Sequence, residues 1–271
     1  MLILFKTGRI LLCTFVVLLN SFSVAADTKS DSKTFSKQKH YRHIMFRETP
    51  YASYRGIYPI SDYVSETNAH YQFSYDEKGR VSEIRYQMGD HLIRDNEVWD
   101  SFIWFAPKVS ISYHKDKEIH TYYNAHNQQI AAHGGVLKAV YALDENGKRI
   151  ALSFFEESAK PVESAWQIHR YEWRHHNGKV YEKRFNLNNE QQPMRPEFKF
   201  YEVELTYDSD NKLTFVKNLG LHGSPTNNDS GASIDRIIYD QHGNFTRWQV
   251  YSKDGNPVEG NRPMVHIGEH L

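Results

Sequence analysis

The stretch Tyr239-Asp-Gln-His-Gly-Asn244, followed by Asp254-Gly-Asn-Pro257, decides how this chain folds. Glycine and asparagine tolerate the left-handed backbone that tight hairpin turns demand, and aspartate tends to open such turns. The segment therefore reads as a strand, a turn, a returning strand and a second turn. Counting back from Pro257 by 32 residues reaches Pro225, then Pro193, then Pro161. The first-turn segments keep the same step: Asp144-Glu-Asn-Gly147, His176-Asn-Gly178, Asp208-Ser-Asp-Asn211 and Asp240-Gln-His-Gly243. Between the turns, Tyr141, Trp173, Leu205 and Ile237 form one apolar column, and Phe155, Leu187, Leu219 and Tyr251 form a second.

An even period has a physical meaning. Side chains of a strand alternate faces every two residues, so a step of 32 returns each column to the same face. Alternation such as Val203-x-Leu205-x-Tyr207 before a turn and Leu213-x-Phe215 after it supports strands on both flanks. The expected fold is mainly β: an antiparallel β-hairpin repeat array, arranged as an extended meander sheet or a β-solenoid-like stack. Degenerate earlier copies stand at Tyr71-Gln-Phe-Ser-Tyr-Asp-Glu-Lys-Gly79-Arg-Val81 and at Ile111-Ser-Tyr-His-Lys-Asp-Lys117, for four to six units in all. Residues 131–271 are expected to form the repeat region and residues 43–130 an irregular β region with degenerate hairpins, including a possible site for a short helix over residues 95–105.

The pattern Tyr-Asp-x-x-Gly-Asn then Asp-Gly-x-Pro resembles the YD/RHS and MORN-like tandem hairpin repeats of bacterial surface and secreted proteins. The resemblance spans residues 131–260 and is strongest in the last copy. Asp208-Ser-Asp-Asn211 lacks the glycine, and His175-His176 replaces Tyr-Asp. Such repeats are usually non-catalytic scaffolds, spacers or binding surfaces, so the resemblance implies a fold and transfers no active-site residue.

The first 26 residues carry only Lys6 and Arg9 as charges, then the apolar run Ile10-Leu-Leu-Cys-Thr-Phe-Val-Val-Leu-Leu19, then Ser23-Val-Ala-Ala26. This is the pattern of a secretory signal peptide, with cleavage expected after Ala26 and a flexible polar lead-in over residues 27–42. The run is shorter than the about 20 apolar residues of a spanning helix. The expectation is a periplasmic or secreted protein with no integral membrane segment after cleavage. Cys13, the one cysteine, leaves with the peptide, which excludes disulfides and thiolate chemistry in the remainder. Basic and acidic residues number 33 each, and removal of Lys6 and Arg9 leaves a formal charge of about −2. Such a balance gives no electrostatic basis for nucleic-acid binding.

Three kinds of chemistry bear on function. Histidines group as His126 with His133, His169 with His175 and His176, and His266 with His270, none with the spacing of a zinc site, so no metal and no cofactor is expected. Acid–base chemistry needs two facing carboxylates, and among Glu97, Asp100, Glu156, Glu157, Glu182 and Glu204 no pair stands out. Aromatic recognition is the third: Trp173 falls in a repeat column and reads as core, whereas Trp248, on the opposite parity and next to Arg247, reads as surface. Trp248, Arg247, Trp99 and Trp104 are the candidate binding residues. The expected function is a non-catalytic exported repeat protein that presents an extended surface to a protein or glycan of the cell envelope. The alternative is a secreted hydrolase with its site in residues 43–130, around Trp99, Asp100, Trp104 and His114.

Overall fold

The structure is a computed structural model that describes residues 37–93 and 106–259. Its strands are β1 (Lys37–Ile44), β2 (Gly56–Ile60), β3 (His70–Tyr75), β4 (Val81–Met88), β5 (His91–Leu92), β6 (Lys108–Tyr113), β7 (Lys117–Tyr123) and β8 (Lys138–Leu143). They continue as β9 (Arg149–Phe155), β10 (Arg170–His176), β11 (Lys179–Phe185), β12 (Gln191–Gln192), β13 (Glu202–Tyr207), β14 (Leu213–Gly220), β15 (Ile234–Tyr239) and β16 (Phe245–Tyr251). One four-residue helix, α1 (Asp62–Ser65), follows β2 and is capped by the Ser61 hydroxyl. All 16 strands belong to one antiparallel sheet, which runs from β16 back through successive hairpins to β3, then β1, then β2. The meander expectation holds, and a solenoid stack is not what forms.

Six hairpins repeat, and their registers explain the period. Ile84 faces Phe73 on β3 and Val109 on β6, two residues before Ile111. Leu152 likewise faces Tyr141 and, across β10, Tyr171, two residues before Trp173. Val216 faces Leu205 and then Asp235, two residues before Ile237. Each hairpin is thus displaced by two residues against the next, a steady stagger that inclines the strands and rolls the sheet. The expected column Tyr141, Trp173, Leu205 and Ile237 extends back to Ile111 and Phe73, and all six side chains are buried on one face.

The second expected column does not hold. Tyr141, Leu205 and Ile237 each face a residue eleven positions on, but Trp173 faces Glu182, nine positions on. The β10–β11 hairpin closes with only Asn177-Gly178 between His176 and Lys179, so it is two residues shorter. Phe185, and not Leu187, is then the equivalent of Phe155 and Tyr251; Leu187 falls in the following turn and is 51% exposed. Phe155 and Tyr251 bridge to Pro161 and Pro257, while Phe185 pairs with Gln191 and Pro193 lies two residues further on.

Turn chemistry recurs with the same atoms. Asp76, Asp144, Asp208 and Asp240 each accept, on one carboxylate oxygen, the backbone N–H groups two and four residues on. The residue before the last of these is left-handed: Gly147 at φ 76°, Asn211 at φ 59° and Gly243 at φ 88°. Asparagine can replace glycine there because its short side chain tolerates that conformation.

Two boundaries differ from expectation. β1 begins at Lys37, inside the segment expected as a flexible lead-in, because its pairing with β3 uses backbone groups and leaves Lys37, Gln38 and Lys39 exposed. Residues 43–130 carry regular hairpins, β3–β4 and β6–β7, in the same sheet as the later units. Residues 1–36, 94–105 and 260–271, which hold the signal-peptide, short-helix and Trp99 and Trp104 expectations, lie outside the described residues. Among the described residues no helix is long and apolar enough to cross a membrane.

Candidate functional site

Residues 45–55, between β1 and β2, form no strand; they cross the buried face of the sheet. Three inward donors converge on the carbonyl of Pro50: Arg47 Nη2 at 2.9 Å, Arg149 Nη1 at 3.1 Å and the Tyr141 hydroxyl at 3.3 Å. Arg149 Nη1 also donates to the Tyr51 carbonyl at 2.8 Å. Arg149 reaches this face through a bulge: Ala142 pairs with Ala151 but Leu143 pairs with Arg149, so Ile150 is the extra residue and is 40% exposed.

Glu118 neutralises Arg149 through a two-point ion pair and accepts from His120 Nε2 at 2.6 Å. Burial pushes the Glu118 carboxyl up, but the Arg149 guanidinium and the His120 N–H outweigh it and hold it at about 2. Burial lowers His120 to about 4 against the pull of Glu118, so the imidazole is neutral at ordinary pH. A second buried pair lies deeper. Glu182 accepts from Trp173 Nε1 at 2.8 Å and from Arg184 Nη1 at 2.6 Å, and burial pushes both ionisable groups toward their neutral forms.

Residues 45–55 and the turns of the β8–β9, β10–β11 and β13–β14 hairpins enclose a cleft of about 730 Å³. Tyr51 stands in it: its hydroxyl is 2.8 Å from His175 Nε2, and its ring lies 5.5 Å from Trp173 and 5.6 Å from Tyr207. Burial raises the Tyr51 phenol, so the hydroxyl stays protonated, and lowers His175. Arg55 Nη1 donates to the Asp210 carbonyl at 2.7 Å and ties the rim to a turn. A smaller cavity of about 360 Å³ lies on the other side of the segment and shares Ser53, Tyr54, Glu118, Gly147 and Arg149 with the first.

Of the sequence-predicted binding residues, Trp99 and Trp104 lie outside the described residues, and Trp248 and Arg247 do not line the cleft. Trp248 faces Ile237 directly, so it shares the inner face instead of taking the opposite parity. It packs 4.3 Å from Phe245 and 5.9 Å from Phe46, in the position equivalent to Leu152 and Val216. Arg247 is exposed on the outer face. His175 is drawn to Tyr51 while His176, His114 and His126 are exposed, and His133 stacks edge-on against Trp166. Among the described residues no three histidines or carboxylates come together as a metal site. Tyr51, Glu118 and Arg149 were not singled out in the sequence; the polar Glu118 inside an apolar alternation is the one local signal they leave.

No protein-family model matches the chain. No curated protein matches its sequence.

Proposed function

We propose that the chain is an exported, non-catalytic binding protein of the cell envelope, and that it holds a glycan in the cleft beside Tyr51. The cleft carries this reading: at about 730 Å³ it falls in the size range of small-ligand sites, roughly 300–1,000 Å³. Tyr51, Tyr207 and His175 contribute ring surfaces, and Asn177 and Asn211 contribute amides. Flat rings suit the apolar faces of a sugar, and amides both donate to and accept from its hydroxyls. The basic start, apolar run and small-residue end of residues 1–26 support export.

Three carboxylates of the sheet are held in ion pairs or hydrogen bonds. Glu118 holds Arg149 and His120, Glu182 holds Trp173 and Arg184, and Glu204 holds Lys179 and Tyr181. On the outer face, Arg170, Arg174 and Arg236 lie over Phe185, Tyr181 and Phe215, which supports a further extended contact with an envelope protein.

Titration with soluble cell-wall glycan fragments tests the reading. The full chain is expected to bind, and Tyr51→Ala to weaken binding by at least about tenfold, the scale of one lost stacking anchor. Turnover of a glycan that disappears on substitution of a single carboxylate would replace this reading with an enzyme.

A further inference from the structure

On β1 and β3, outside the cleft lining, two imidazoles meet: His40 Nδ1 lies 3.0 Å from His70 Nε2. The far nitrogen of each ring faces an acceptor. His70 Nδ1 is 2.9 Å from the Asn68 carbonyl oxygen, and a carbonyl only accepts, so the neutral ring carries its proton there. The 3.0 Å contact is then a hydrogen bond in which His40 Nδ1–H donates to the His70 Nε2 lone pair. Moving that proton to His40 Nε2, which faces the Asp62 carboxylate at 3.6 Å, leaves both rings with lone pairs turned toward the shared gap, where a cation can replace the proton. Carbonyl and carboxylate partners on the far nitrogen are what hold histidine ligands in place.

We propose that His40 Nδ1 and His70 Nε2 together bind one divalent transition-metal ion. With metal–nitrogen bonds of about 2.0–2.1 Å, donors 3.0 Å apart subtend roughly 90–97° at the ion. That is the angle between neighbouring donors of a tetragonal centre, the geometry of Cu²⁺ and Ni²⁺ more than of tetrahedral Zn²⁺. The surroundings are negative: α1 carries Asp62, and Glu66 at its C-cap exerts its charge on His70. Gln87, opposite His70 across the β3–β4 pair, is 2% exposed, and its Oε1 has no hydrogen-bond partner. It offers a neutral oxygen across the strand pair from His70, and water completes the coordination through the partly open His40 side.

The test uses the full chain without an affinity tag, stripped with chelator and titrated with Cu²⁺. One ion per chain is expected, with the nitrogen splitting of two imidazoles in its electron paramagnetic resonance spectrum and weaker binding of Zn²⁺. His40→Gln should abolish that signature. Asp62→Asn alters a side chain that is 96% exposed and so spares the fold; it should lower Cu²⁺ affinity by about tenfold or more. His176→Gln, at the exposed end of β10, should leave it unchanged. Absence of a stoichiometric Cu²⁺ site, or a two-nitrogen signature that survives His40→Gln, overturns the proposal.

Discussion

Arg149 Nη1 lies 2.8 Å from the carbonyl oxygen of Tyr51, a contact that spans 98 residues of sequence. The same guanidinium pairs with Glu118 two strands away, so one buried cation fixes both the sheet and the segment that crosses it. Tyr51 can stand in the cleft because its own backbone is held from behind.

Arg149→Met should therefore be costly. It leaves the Glu118 carboxylate buried without its cation, a loss of about 3–5 kcal/mol. Chemical denaturation should show a lower midpoint with an unchanged slope, and Glu118→Gln combined with Arg149→Met should cost less than the two single changes added together.

Acid sensitivity should come from His120. Its folded pKa, about 4, lies below the ordinary value of 6.5, so the unfolded chain takes the proton first. Stability is full above pH 6.5 and falls as the pH drops toward 4. Glu118, held at about 2 against 4.5, acts in the same direction: its contribution is present above 4.5 and is lost as the pH falls toward 2. Thermal melting between pH 7 and pH 4 should show the first decline, and His120→Gln should flatten it.

The turns offer a sharper contrast. Gly147 is at φ 76° with open space where a Cβ would be, so Gly147→Ala costs only the backbone strain, about 1 kcal/mol. Asn211→Gly, at φ 59° in the equivalent turn, should change stability by a few tenths of a kcal/mol at most. Equal losses at the two sites would mean that the left-handed position is not what the turns require.

Asp240 does more than close a turn. It accepts from the Tyr58 hydroxyl at 3.2 Å, so the β15–β16 turn touches β2, the strand at the other end of the sheet. Asp240→Ala should lower the melting temperature more than Asp144→Ala, whose carboxylate serves its own turn. Hydrogen exchange should locate the extra loss in β2 and β16.

The hairpins were legible because parity and turn chemistry are local. Tyr141, Trp173, Leu205 and Ile237 repeat at a fixed step, and Asp144, Asp208 and Asp240 open three of the four turns that follow them. The exception misled: the short Asn177-Gly178 turn slips β11 by two residues, so Leu187 keeps the period in sequence and loses it in space. Trp248 was misplaced for a related reason, since facing depends on its partner Ile237 and on the bulge before Tyr239. The first half of β1 is hidden in the sequence because Lys37-Gln-Lys-His40 is all polar and carries no hydrophobic alternation. The site is not legible because Tyr51, Glu118 and Arg149 meet only once β7 to β9 have paired and residues 45–55 cross them, and no spacing rule encodes that.

The two-residue offset between neighbouring hairpins bears on how such a chain can evolve. Copying one 32-residue unit would add another increment of pitch, carry Asp240 and Asn244 away from Tyr58, and pull the two ends of the sheet out of alignment. Repeat number is therefore tied to the length and course of residues 45–60, and a lineage that gains or loses a unit must remodel that stretch as well.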